Sequence, residues 1–356
     1  MTILDAAPRP GTRWPDRLAP LAAGWLGLWG VLALLATITG AGYPFGANDP
    51  HGDTNLLRLV PVRFGPALFA ALLLAAAVAA LAMSRPTGRP SRALRVVLAG
   101  YGWAVAAFLA LVVPDARVLV ILGYAPMLII GAPFGWPPVD YSDVFTWTLF
   151  ARFAAVIGGL LLAGAVLVWR RRTGEACVAC GRGDAERDWT TPTAAARWGR
   201  WAVGIAAAVP LVYASTRFAW VAGVPLGIPQ DTFEEMRETG LVWAGAGLGA
   251  FATVGAVLTL GLVQRWGERF PRWIVGLAGR RVPVKLAVIP AAVVSVAVTA
   301  ATLGLMSNPQ FWRMNEGFSL ASAPALLWPA WGVALGAATY AYHLRRRGAC
   351  RRCGRG

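Results

Sequence analysis

The sequence predicts an all-α fold: a transmembrane helical bundle of about eight spans, built as two tandem parallel four-helix repeats. Three observations predict it. Long apolar runs follow one another, arginines gather in alternate connecting loops, and short signatures in the first half recur in the second. Hydrophobic residues make up 57% and charged residues only 14% of the chain, with a mean hydropathy of +0.56. A soluble domain carries about one quarter charged residues. The deficit is what a chain facing mostly lipid and other helices requires, because a charge in hydrocarbon costs several kcal/mol.

The apolar runs fall at 18–42, 64–84, 95–113, 146–169, 200–223, 241–264, 285–306 and 324–344. Each is close to the roughly 20 residues a spanning helix needs. Trp25, Trp147, Trp169, Trp201, Trp220, Trp243 and Trp328 lie near run ends, as in an interfacial aromatic belt. The first run is longer than a signal-peptide core and reads as a span rather than a cleaved leader.

The net charge is +16, and Lys285 is the one lysine. A basic protein can signal nucleic acid, but here the placement points to membrane topology, and no nucleic-acid partner is expected. Arginines crowd residues 1–17 (Arg9, Arg13, Arg17), the loop after the second run (Arg85, Arg89, Arg92, Arg95) and the segment after the fourth (Arg170, Arg171, Arg172, Arg182, Arg187, Arg197, Arg200). They crowd again after the sixth run (Arg265, Arg269, Arg272, Arg280, Arg281, with Lys285) and after the eighth (Arg345, Arg346, Arg347, Arg351, Arg352, Arg355). The intervening loops hold only Arg58, Arg63, Arg117, Arg237 and Arg313. By the positive-inside rule the protein is a multi-pass protein of the bacterial inner (cytoplasmic) membrane with both termini cytoplasmic. A ninth run, 118–132, would place two Arg-rich loops on opposite sides if it spanned. It is therefore read as a re-entrant or interfacial segment, interrupted by Pro126; a full span with an imbalance of charge is the alternative.

The duplication rests on matched ends. Ala41-Gly42-Tyr43-Pro44-Phe45-Gly46 corresponds to Ala222-Gly223-Val224-Pro225-Leu226-Gly227, and Cys177-Val178-Ala179-Cys180-Gly181-Arg182-Gly183 to Cys350-Arg351-Arg352-Cys353-Gly354-Arg355-Gly356. The expected organisation is a cytoplasmic tail (1–17), a first repeat (18–183), a linker (184–198) and a second repeat (199–356). An even number of spans per copy makes the copies parallel, related by an axis along the membrane normal.

Every cysteine belongs to one of the two C-x-x-C-G-R-G segments. A C-x-x-C-G turn lets two thiolates face one tetrahedral ion. Cys177, Cys180, Cys350 and Cys353 are thus candidate ligands of a structural tetrathiolate zinc ion, with neighbouring arginines expected to favour thiolate. Free thiols, a redox dithiol and a zinc bridge between two chains are the other readings. Such a closed site would be structural rather than catalytic.

Two arginines interrupt spans, Arg152 in the fourth and Arg217 in the fifth. An embedded charge is a candidate binding residue; the plainer reading is that each snorkels to the interface. Asp49-x-His51-x-Asp53 has the chemistry of metal ligands, though a solvated Gly/Pro-rich loop accounts for it equally. Thr232-x-x-Glu235 reads as a helix capping box. Gly245/Gly249 and Gly332/Gly336 read as close-packing pairs. No P-loop, dinucleotide fingerprint or H-E-x-x-H occurs, no acidic residue lies in a span, and the two histidines give poor support for a triad.

The segments Gln264-Arg265-Trp266-Gly267-Glu268-Arg269-Phe270-Pro271-Arg272-Trp273 and Leu277-Ala278-Gly279-Arg280-Arg281-Val282-Pro283 carry a resemblance. The chain resembles uncharacterised polytopic integral membrane proteins of high-GC bacteria, which implies no activity. The first functional expectation is a protein that binds or carries an anionic small molecule or lipid at a site between the repeats, using Arg152 and Arg217. The second is a non-catalytic membrane scaffold or regulator whose zinc knuckles recruit a cytoplasmic protein partner. A membrane-embedded enzyme ranks third. The lipid bilayer is the common partner.

Overall fold

The computed structural model describes residues 14–52, 55–85, 90–134, 140–183, 188–308, 311–312, 323–350 and 352–355. Most of the N-terminal tail, Asp53, the start of the linker (184–187), Arg313 and Arg351 lie outside the described residues. Among those described, the fold is helical throughout, and the single strand-like pairing is an isolated bridge between Arg269 and Arg281.

The helices are α1 (Trp14–Thr39), α2 (Gly65–Ser84), α3 (Arg92–Ala107, continued by a π-helical segment Phe108–Val112), α4 (Ala116–Gly131), α5 (Tyr141–Val144) and α6 (Trp147–Thr173). They are followed by α7 (Pro192–Val221), α8 (Gln230–Glu238), α9 (Leu241–Leu260), α10 (Val284–Ser307), α11 (Ala323–Leu326) and α12 (Trp328–Arg346). Seven stretches are long and apolar enough to cross a membrane: α1, α2, α3 with its π segment, α6, α7, α9 and α10. Their outward residues are large and apolar, among them Ile38, Val78, Val96, Val97, Val254, Leu258 and Leu286, all exposed. A water-facing helix would put polar side chains there, so these faces belong against lipid.

The run read at 324–344 is divided. It becomes α11 and then α12, whose second half carries Tyr340, Tyr342, His343, Arg345 and Arg346. These polar residues keep α12 out of the seven. The run read at 118–132 is α4, bent by 51° between Ala116–Ala125 and Leu128–Phe134. Pro126 falls at the break, and a proline has no backbone N–H to carry the helical hydrogen bonding across it. Both a re-entrant segment and a broken span have that shape, and counted as a span it brings the number to eight.

The chain forms two compact units. The first comprises residues 1–114, 125–186 and 347–356; the second comprises 115–124 and 187–346. In the first unit α1 packs along α2 and α6, and α3 lies on α6. The helices approach closely because small residues sit where they meet. Ala22, Ala76 and Ala80 are fully buried, and a Cβ on Gly159 would come within 2.8 Å of the Ala106 carbonyl oxygen. In the second unit α7 packs on α9 and α12, and α10 on α12. Here Gly336 faces Ser295, whose hydroxyl donates to the Gly332 carbonyl at 2.7 Å, and Gly249 lies against Arg217. Both glycine pairs thus serve close packing.

Side-chain caps begin several helices. Ser91, Thr146 and Thr191 accept from the backbone N–H three residues on, at α3, α6 and α7. The expected capping box at Thr232 is not formed. α8 starts two residues earlier, after Pro229, so Thr232 lies inside the helix and Gln230 pairs with Glu234 instead.

Candidate metal centre

The cysteine site is built entirely within the first unit. α6 ends at Thr173, and Gly174 and Glu175 turn the chain, Glu175 with a positive φ of 58°. The Cys177 N–H then donates to the Arg182 carbonyl at 2.9 Å, and the Gly181 N–H donates to the Cys177 carbonyl at 2.7 Å. The second segment makes the same bonds: Cys350 N–H to the Arg355 carbonyl at 2.8 Å, and Gly354 N–H to the Cys350 carbonyl at 2.8 Å. Gly181 (φ +75°) and Gly354 (φ +71°) occupy the left-handed region, which explains the glycine after each second cysteine.

These two turns bring four sulfur atoms to within 4.8 Å of one another. Cys177 Sγ is 3.9 Å from Cys350 Sγ, and Cys180 Sγ is 3.6 Å from Cys353 Sγ. Four thiolates at about 2.3 Å from a tetrahedral ion lie roughly 3.8 Å apart. A disulfide would require about 2.0 Å. The cage therefore has the dimensions of a tetrathiolate metal site, and all four expected ligands are in it.

The electrostatics of the cage are uneven. Burial raises the Cys350 thiol, but backbone N–H groups of Arg352 and Cys353 and the thiols of Cys180 and Cys353 outweigh it and bring the value down to about 6. Cys177 is also lowered, burial being outweighed by the N–H groups of Cys180 and Ala179. Cys180 is pushed up to about 12, by burial first and then by the neighbouring sulfurs. Four adjacent sulfurs cannot all be anionic unless a cation compensates them. The arginines act differently from expectation. Arg182 Nη1 donates to the Gly348 and Arg355 carbonyls at 3.1 and 2.6 Å, and Arg171 Nη1 to the Val178 carbonyl at 3.0 Å. They brace the turns, while backbone amides lower the thiols.

The two embedded arginines fall in different units, and each has an environment of its own. Arg152 is 1% exposed and its Nη2 is 2.8 Å from Asp49 Oδ2, itself buried. Phe45 lies beside the guanidinium. Asp49 comes from the loop after α1, where its other oxygen accepts from the His51 N–H at 3.1 Å. The spans contain no carboxylate; the partner comes instead from the Asp49-x-His51 loop. Arg217 sits over Trp220 at 4.0 Å and Tyr213 at 4.6 Å from the ring centres. Among the described residues no carboxylate pairs with it.

Comparison with protein-family models, with curated proteins and with solved structures gives no match.

Proposed function

We propose that this chain is a non-catalytic protein of the bacterial inner membrane that carries a structural zinc ion on its cytoplasmic side and presents the zinc-bound turns to a cytoplasmic protein. The observation that carries the reading is the cage of Cys177, Cys180, Cys350 and Cys353, with sulfurs 3.6 and 3.9 Å apart across the two segments. Four thiolates at tetrahedral spacing favour zinc among the common divalent ions, and four protein ligands leave no open position for chemistry. The Arg-rich loops around the cage support a cytoplasmic position. They also make the module basic, so an acidic partner surface fits it. The like bonding of the two turns supports the duplication. Metal analysis of the purified protein tests the zinc: one ion per chain is expected, with loss in Cys350→Ser. Absence of zinc from wild-type protein overturns the reading, as does iron in its place. Modification of a cysteine placed at Asp188 by a reagent confined to the periplasm overturns the orientation.

A second reading rests on Arg217. Its guanidinium is held on two aromatic faces near the end of α7 with no carboxylate partner among the described residues. This is the setting of a cation that receives an anionic lipid headgroup or small molecule. A thermal-shift screen with anionic lipids and metabolites tests it. No response, and an unchanged profile for Arg217→Ala, counts against it.

A further inference from the structure

Between Leu260, where α9 ends, and Val284, where α10 begins, the chain folds back into a hairpin. Arg269 and Arg281 pair at its base. The Phe270 N–H donates to the Arg280 carbonyl, the Gly279 N–H to the Phe270 carbonyl and the Val282 N–H to the Glu268 carbonyl, each at 3.0 Å. Successive tight turns form the tip: Ile274 N–H donates to the Pro271 carbonyl at 3.2 Å, Leu277 N–H to Ile274 at 3.2 Å and Arg280 N–H to Leu277 at 3.0 Å. Gly276 and Gly279 supply the left-handed backbone these turns need, with φ of +82° and +73°. α12 holds both legs. The Tyr342 hydroxyl donates to the Gly267 carbonyl at 2.7 Å, Arg345 pairs with Glu268 at 3.4 Å, and Arg346 Nη2 donates to the Val282 carbonyl at 3.0 Å. The hairpin is thus a built feature and not a slack linker.

Its tip is the reverse of what water selects. Residues 273–278 read Trp-Ile-Val-Gly-Leu-Ala, without a charge. Trp273 is 79% exposed and Val275 95%, and Leu277 is exposed beside them. Arg269, Arg272, Arg280 and Arg281 flank the tip and are exposed as well. Glu268 is the one acid between Leu260 and Val284, and it is engaged by Arg345. Among the described residues no carboxylate pairs with the flanking arginines.

An apolar tip with a tryptophan, set in a basic collar, matches the surface of an anionic bilayer. Rings and aliphatic groups are stable at the acyl boundary, and guanidinium groups at the phosphates. Two features favour lipid over an acidic protein surface. The turn amides are bonded within the hairpin, which lowers the cost of leaving water. The hairpin also continues a lipid-facing surface: Leu258 near the end of α9 and Leu286 and Ile289 early in α10 are all exposed. Arg280 and Arg281 stand within four residues of Val284, at most about 14 Å of chain. Pro283 between them is extended (φ −59°, ψ 128°), so the chain enters α10 through a bend.

We propose that residues 269–281 form an anchor that binds anionic phospholipid, Trp273, Val275 and Leu277 entering the headgroup layer while Arg269, Arg272, Arg280 and Arg281 hold lipid phosphates. Full-length protein, one copy per nanodisc, tests this in phosphatidylcholine alone and in an equal mixture with phosphatidylglycerol. Discs leave both faces open, so the result depends neither on which face is cytoplasmic nor on a metal. Trypsin cutting after Arg272, mapped by mass spectrometry, follows the undocked population. It should be slow in the mixture and fast in phosphatidylcholine. Arg281→Gln should raise it about fivefold in the mixture, one arginine's share of the attraction, and leave it unchanged in phosphatidylcholine. In the mixture, lipids brominated near the head of their acyl chains should quench wild type more than Trp273→Phe. Equal cutting of wild type in both lipids, a rise of the same size for Arg281→Gln in both, or equal quenching of wild type and Trp273→Phe overturns the proposal. Protection in detergent that grows with protein concentration would give the tip to a second copy of the chain and overturns it too.

Discussion

Cys180 and Cys353 hold their sulfur atoms 3.6 Å apart although 173 positions of chain separate them. That spacing is too long for a disulfide and right for two ligands of one ion. Metal removal should therefore have a local structural effect. Chelation of zinc from the purified protein is expected to expose residues 347–355 and the 176–183 turn to protease and to amide exchange, while exchange in α1, α2 and α3 stays unchanged. Hydrogen-exchange mass spectrometry checks this; equal protection of both turns with and without chelator would contradict it.

The depressed Cys350 thiol gives a pH dependence with a definite sign. Its ordinary value is 9.0 and its value in the fold is about 6. A lowered value contributes stability that is fully present above the ordinary value. That contribution falls away as the pH drops toward 6 and is gone below it. In metal-free protein, alkylation by iodoacetamide should find Cys350 reactive at pH 7, with a midpoint near 6, while Cys180 stays slow until far higher pH. Peptide mapping of the labelled cysteines measures both.

Arg152 and Asp49 form a buried pair in which each charge offsets part of the cost of burying the other. Replacing Arg152 by Met leaves a buried carboxylate and is expected to cost about 3–5 kcal/mol. The double variant Arg152→Met/Asp49→Leu should recover much of that loss, because it removes both charges. Unfolding in detergent by increasing denaturing surfactant gives the comparison. A double variant as unstable as the sum of the singles would show that the two residues do not act as a pair.

Gly159 tests the close helix contact in the first unit. An added Cβ would meet the Ala106 carbonyl oxygen at 2.8 Å and the Ala110 nitrogen at 3.0 Å, both backbone atoms that cannot rotate away. Gly159→Ala is expected to destabilise by about 1–3 kcal/mol. Gly204→Ala, where nothing lies within 4 Å, should be neutral or better. Thermal melting of the two variants side by side separates these outcomes.

How much of this was legible in the sequence differs by feature. The spans were, because hydrocarbon demands unbroken apolar helix and little else satisfies that demand. Their ends were less so: α6 runs on through Arg170, Arg171 and Arg172 to Thr173, since a helix can continue into water after its apolar stretch stops. The cysteine ligands were legible because the glycine after each C-x-x-C marks a left-handed turn. Their convergence was not, since it depends on where the tertiary fold carries residues 347–355. The partner of Arg152 was hidden for a similar reason. Asp49 is in a loop, and no local pattern says that a loop will fold inward. The last apolar run is the least clear by composition, because tyrosines, His343 and arginines late in α12 dilute it.

An ion gripping both cysteine turns would make a ring of everything between Cys177 and Cys350. By the chain-entropy relation for cross-links, closing a loop longer than 100 residues is worth about 5 kcal/mol against the unfolded chain. The ring also changes what a cut means. A protease acting at the exposed Trp189 would divide the backbone. Both pieces would nonetheless travel together through a gel as long as the four sulfurs kept hold of the ion.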